Sequence, residues 1–311
     1  FMFVSLVKIK KYLIYLFLFL SFNCFSVSTK AAETTYTTES FNIRQNTGSG
    51  QQQVEWIRGV TFNTDGSKMF ITGGAVGQFS LATNFDVSSI THINSLADDD
   101  AIPSPNDIRF SSDGLKMYLA PFQTNPLTEY TLSTAFDPTT AATATDDLEQ
   151  VTLSNTSVTL GLAFNSDGTR MFVTDNNKVN NTSTKREIDE YSLSVGFDIS
   201  STVTYLRSLD VSSTNDNVLS LIFSTDGKTM FALDGENGDV EEYFLTTGFD
   251  LTTATLIETF HYDGFVRAYS IALNNTGTKL FVAQNHNHLV KSFTLGAANN
   301  LSTPVISTYA P

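Results

Sequence analysis

The stretch Phe62-Asn63-Thr64-Asp65-Gly66-Ser67-Lys68-Met69-Phe70 decides the fold, because the chain repeats it. It returns as Phe110-Ser111-Ser112-Asp113-Gly114-Leu115-Lys116-Met117-Tyr118, then from Phe164 to Phe172 with Asp167-Gly168, then from Phe223 to Phe231 with Asp226-Gly227. A fifth copy, Leu273 to Phe281, keeps Gly277 but has Thr276 in place of Asp. The glycines are spaced 48, 54, 59 and 50 residues apart, a period that marks a repeat fold with insertions confined to its loops.

A second signature follows each copy. Phe79-Ser80-Leu81 leads to Phe85-Asp86, Tyr130-Thr131-Leu132 to Phe136-Asp137, Tyr191-Ser192-Leu193 to Phe197-Asp198, and Tyr243-Phe244-Leu245 to Phe249-Asp250. In the fifth copy Phe293-Thr294-Leu295 leads to Asn299-Asn300. These positions carry folding chemistry. Asp-Gly between short apolar runs is a tight hairpin, in which Asp caps the turn and Gly takes the positive φ. The Phe of each Phe-Asp pair packs between layers, and its Asp starts the turn to the next strand.

Each repeat therefore holds four short strands, about 219–223, 229–233, 240–245 and 255–260 in the fourth copy. Glu129, Glu190 and Glu242 precede Tyr130, Tyr191 and Tyr243 in the third strands, so neighbouring residues point to opposite faces. The first strands are apolar or small on both faces, as in Gly161-Leu162-Ala163-Phe164, which suits an inner strand sandwiched between sheets. Four strands per unit, a period near fifty and no helical periodicity describe propeller blades. The expected fold is an all-β, five-bladed β-propeller, with blades at about 57–97, 105–154, 159–211, 218–262 and 268–309.

Asp65-Gly66-Ser67-Lys68-Met69-Phe70-Ile71-Thr72 and Asp167-Gly168-Thr169-Arg170-Met171-Phe172-Val173-Thr174 resemble bacterial β-propeller repeats of the YVTN and WD40-like type. The resemblance spans roughly Glu55 to Tyr309, without the Tyr-Val-Thr-Asn string or the Trp-Asp dipeptide of the two patterns. It implies a fold and little more, since propellers host lactonases, glycosidases and binding modules alike.

Both chain ends bear on ring closure. Val305 to Tyr309 match a fourth strand for the last blade, and residues 37–44, before the first repeat, read as another. Either that N-terminal strand closes a five-bladed ring along the edge of the fifth blade, or the chain is a fragment of a six- or seven-bladed ring.

Residues 1–32 read as a secretory signal peptide: Lys8, Lys10 and Lys11 precede the apolar run Tyr12 to Leu20. That run is shorter than the roughly twenty residues of a membrane span, so no membrane insertion of the mature chain is expected. The only cysteine, Cys24, lies in this segment; Asn23 before it is a poor fit to a lipidation signal. An exported, disulfide-free bacterial protein follows, placed in the periplasm, outside the cell or at its surface. The net charge of −14, with no basic stripe, argues against nucleic acid and anionic membranes as partners.

Propeller ligands sit at the central funnel, so function is sought where the repeats disagree. At the ends of the second strands stand Gly73, Pro121, Asp175, Asp234 and Gln284; beside the first strands stand Arg58, Asp107, Gly161, Ser220 and Ser270. Arg58, Asp107, Asp175, Asp234 and Gln284 are the binding candidates, and converging carboxylates there would take calcium or act as an acid/base pair. Asp234, Glu236 and Asp239 form a spaced acidic turn, the better calcium candidate beside Asp98-Asp99-Asp100. His286-x-His288 would share one face if extended, without a third ligand nearby. No phosphate loop, nucleophile elbow or Cys/His pairing is present.

The leading expectation is thus an exported binding module for a glycan, a protein or a cell-surface component. One alternative is a calcium-dependent hydrolase, lactonase-like or glycosidase-like, using Asp107, Asp175 and Asp234. Another is a structural module of a longer surface protein.

Overall fold

The computed structural model describes residues 39–42, 57–97, 105–121, 126–142, 149–156, 158–176, 185–261, 267–286 and 288–304. Residues 1–32, expected from the sequence to be a signal peptide, with Cys24, and also Asp98-Asp99-Asp100 and Val305 to Tyr309 lie outside them. Five antiparallel sheets form a five-bladed β-propeller, as the repeat predicts. After β1 (Glu39–Asn42), the first blade is β2 (Ile57–Phe62), β3 (Lys68–Gly73), β4 (Ala75–Leu81) and β5 (Ile90–Ala97), in that order from the axis outward. The second is β6 (Pro105–Phe110) to β9 (Glu149–Val151), the third β10 (Thr159–Phe164) to β13 (Val203–Asp210), and the fourth β14 (Val218–Phe223) to β17 (Ala254–His261). The fifth contains β18 (Ala268–Leu273), β19 (Lys279–Gln284) and β20 (Leu289–Ala297).

The fifth blade touches the first, which closes the ring at five. Val60 N donates to Ser270 Oγ (3.2 Å) and Asn285 Nδ2 to Ile57 O (3.1 Å). The two terminal strands share one edge. β1 pairs with Leu289 to Ser292 of β20, while β21 (Asn300–Pro304) pairs with its other half, Leu295 to Ala297.

The two repeat signatures prove to be one structure. Gly66 takes φ +73°, and Phe85 N donates to its carbonyl (2.9 Å) while the Phe85 ring covers its α-carbon. Phe85, Phe136, Phe197 and Phe249 all adopt the left-handed conformation, at φ +54° to +59°. A bulky residue pays a steric cost there, and three sets of contacts hold it. Each ring packs on the first-strand Phe of its own blade, with centroids 5.2–5.4 Å apart. That first-strand ring also meets the preceding blade, as Phe110 meets Phe70 at 4.6 Å. The carbonyl then accepts from the preceding blade: Phe136 O from Lys68 Nζ (3.0 Å) and Gln78 Nε2 (3.0 Å), and Phe197 O from Tyr118 Oη (2.6 Å). In the fifth blade Asn299 takes the same conformation, which asparagine tolerates better. The following Asp caps a one-turn 3-10 helix, as Asp86 accepts from Ser88 N (2.9 Å).

Both faces of every blade meet a neighbour, so alternation along the third strand does not lead to solvent. Glu129, Glu190 and Glu242 are buried and reach across to the next blade. Glu129 Oε2 accepts from Ile199 N (2.9 Å), and Glu242 Oε2 from Leu301 N (2.7 Å).

Candidate functional site

Strand register fixes which residues stand at equivalent places. Ile57, Pro105, Thr159, Val218 and Ala268 pair with Gly73, Pro121, Asp175, Asp234 and Gln284. Two places further in stand Gly59, Asp107, Gly161, Ser220 and Ser270. A bulge at the head of each first strand displaces the register, so the counterpart of Asp107 is Gly59, and Arg58 stands one residue earlier.

This ring of small and polar residues seals the axis. A β-carbon on Gly59 would stand 3.0 Å from the Asp107 Cα, and one on Gly161 2.8 Å from the Ser220 Cα. Where side chains exist, they cap the next inner strand: Asp107 Oδ2 accepts from Leu162 N (3.0 Å), and Ser220 Oγ from Ile271 N (3.3 Å). Asp107 is 1% exposed and pairs with Arg109, Nη1 to Oδ1 at 2.8 Å. Burial pushes the Asp107 carboxyl up, against the pull of the guanidinium. Arg109 also donates to Val60 O (3.4 Å), to Ile108 O (2.8 Å) and, two blades on, to Leu221 O (3.3 Å). Its guanidinium spans the centre as a plug. Nothing in the repeat pattern singles out Arg109 except that Thr61, Ala163, Ile222 and Ala272 fill the matching positions.

The other candidate carboxylates hold loops. Asp234 is fully buried; it accepts from Glu236 N (2.9 Å), Asn237 N (3.3 Å) and Asp216 N (3.0 Å). Asp239 Oδ1 pairs with His261 Nδ1, and Glu236 is exposed. Asp175, also fully buried, accepts from Val158 N (3.2 Å). Gln284 is buried beside the fifth inner strand. Among the described residues no three His, Cys, Asp or Glu side chains converge as metal ligands. His286 is exposed in a tight turn and His288 takes φ +54°, so the two are not on an extended strand.

Beyond the plug, on the face of the Asp-Gly turns, lies an axial depression of about 380 Å³. Its floor is the ring Thr61, Arg109, Ala163, Ile222 and Ala272. Its wall is Phe62, Phe110, Phe164, Phe223 and Leu273, all partly exposed. Its rim places one exposed neutral hydrogen-bonding side chain from each blade: Thr64, Ser112, Ser166, Thr225 and Asn275. Among the described residues of the lining, Arg109 alone is titratable.

Fold and site define a five-bladed β-propeller with Arg109 across its axis and an open axial depression on the face of the Asp-Gly turns. No protein-family model and no curated protein matches the chain. Among solved structures it is similar to a functionally unknown protein from Desulfotomaculum acetoxidans, with 17% identity over 84% of this chain and 74% of that one, at a TM-score of 0.48. A periplasmic gluconolactonase of Pseudomonas aeruginosa matches with 12% identity over 82% and 70% of the two chains, at 0.49. A chain of a nidogen/laminin complex matches with 14% identity over 82% and 80%, at 0.49. Likenesses this distant leave function to the site itself.

Proposed function

We propose that the chain is an exported binding module that takes an uncharged, saccharide-class ligand in the axial depression. One observation carries this reading: the lining combines partly exposed Phe rings with a rim of hydroxyls and an amide, and among the described residues it holds no carboxylate, imidazole or thiol. Aromatic faces accept the apolar face of a sugar ring, while Ser, Thr and Asn exchange donors and acceptors with its hydroxyls. A volume of about 380 Å³ is in the range of small-ligand sites. Arg109 adds no net charge to the floor, because Asp107 pairs with it.

The hydrolase alternative rests on Asp107, Asp175 and Asp234, each at most 1% exposed and each accepting from backbone N–H groups: Asp107 from Leu162, Asp175 from Val158 and Asp234 from Asp216. Glycan-array binding followed by titration calorimetry tests the proposal. Wild type is expected to bind at least one glycan, with affinity reduced about tenfold or more by Ser166→Trp, a substitution at an exposed turn position. Absence of glycan binding, binding of a polypeptide alone, or glycan binding indifferent to both Ser166→Trp and Thr225→Trp would overturn it.

A further inference from the structure

Among the described residues, the third and fourth blades share a buried constellation that the other blades lack. In the third, Val173 pairs with Asp189 and Asp175 with Glu187, so Asp175, Glu187 and Asp189 lie on one sheet face, towards the second blade. Asp189 is 1% exposed. Thr156 Oγ1 donates to its Oδ2 (2.6 Å) and lies 2.7 Å from the Tyr191 hydroxyl, which in turn donates to Ser154 O. With Val158 N on Asp175, these bonds pin the segment that enters the third blade from the second. The other oxygen of Asp189 is buried without a hydrogen-bond partner.

The fourth blade repeats the arrangement with Glu241, Tyr243, Thr214 and Asp234. Tyr243 Oη donates to Glu241 Oε2 (2.8 Å), Asp216 N bonds to Asp234, and Glu241 Oε1 is again unpartnered. In the remaining blades the position of Asp189 holds Gly77, Thr128 and Lys291.

We propose that Asp189 and its partners form a proton-operated clasp: protonated, Asp189 holds the connection between the second and third blades; ionised, it repels Asp175 and loosens that seam. Burial drives the Asp189 carboxyl up to about 7, with Asp175 and Glu187 pushing the same way and Thr156 and Ser208 pulling it back. Glu241 is raised for the same first cause. The groups around Asp189 are Asp175 on the second strand, Glu187 and Tyr191 on its own, Tyr205, Ser208 and Asp210 on the fourth, and Tyr118 from the second blade. Lys185 is engaged with Glu187 at 3.1 Å and is largely exposed. With the folded value above the unfolded 3.8, the contribution is complete below 3.8 and is lost as pH rises through about 7.

Thermal melts of the full chain from pH 5.5 to 8.5, with hydrogen exchange at Val158 to Leu162, test the clasp. The wild-type midpoint is expected to fall by about 2–4 °C across that range while exchange in this segment quickens. Asp189→Asn keeps the shape without the charge, and its profile is expected to be flatter. Should that variant not fold, Asp175→Asn relieves the same repulsion and is expected to raise the midpoint at pH 8.5. A wild-type profile with no such fall, or an equal slope in Asp189→Asn, would overturn the proposal. So would calcium restoring the wild-type midpoint at pH 8.5 but not that of Asp189→Asn, since a cation would then be the missing partner.

Discussion

The ring of Phe85 lies so close over Gly66 that a β-carbon on the glycine would stand 2.2 Å from the Phe85 Cδ2. The same relationship joins Gly168 to Phe197 and Gly227 to Phe249. Each glycine thus serves twice, by taking positive φ and by leaving room for a ring that is itself in the left-handed conformation.

Gly168→Ala is therefore expected to cost about 2–4 kcal/mol, combining the left-handed penalty with overpacking. Gly296, exposed in β20 and without a positive φ, is the natural control for the substitution itself. Urea denaturation of the two variants measures the difference, and equal midpoints would remove the dual role.

Arg109→Ala should be far more costly than deleting an exposed arginine. It leaves the Asp107 carboxylate at the sealed axis with no cation, a loss of about 3–5 kcal/mol. The fourth and fifth blades solve the same geometric problem with Ser220 beside Ile222 and Ser270 beside Ala272. Asp107→Ser combined with Arg109→Ala copies that solution, and the double variant is expected to recover most of the loss. A double-mutant cycle by chemical denaturation gives the coupling; additive costs would mean that the pair is not a unit.

The fold was legible because the Asp-Gly turns and Phe-Asp pairs recur in register. The left-handed Phe residues were not, since no local pattern requires a bulky residue there; only the glycine beneath and the donors of the preceding blade stabilise it. Asp107 stood out as a break in the repeat, but its partner Arg109 did not, because only closure of the ring brings the residue before each first-strand Phe or Leu to the axis. Asp189 and Glu241 sit two places before a Tyr on an ordinary alternating strand. Their burial follows from blade stacking, which alternation cannot express.

Buried third-strand glutamates should respond differently to loss of charge. Glu190 pairs with Arg170 and, at 3.5 Å, with Arg207, so Glu190→Gln is expected to cost about 1–2 kcal/mol. Among the described residues no cation pairs with Glu242; burial first, and then Glu258, hold its carboxyl above the usual range. Its contribution is complete below the unfolded value of 4.5 and is lost as pH rises through the raised one. Glu242→Gln keeps an acceptor for Leu301 N, so it is expected to be neutral near pH 4.5 and stabilising at pH 7.5. Urea titrations at both values decide it, and a larger loss at the higher pH would contradict this account.

The outer edge of β20 is divided between β1 and β21, and β1 covers Leu289 to Ser292 from the far end of the chain. Removing the chain through Asn42 leaves that stretch of β20 without an outer partner, while Leu295 to Ala297 stay paired with β21. Hydrogen exchange is expected to quicken across Leu289 to Ser292 and to change little in the third blade, because an edge strand protects mainly the strand it pairs with. The same deletion releases a closing contact of the ring, so the unfolding midpoint should also fall. Unchanged exchange at Leu289 to Ser292 would mean that the inter-blade contacts, such as Val60 N to Ser270 Oγ, close the ring without β1.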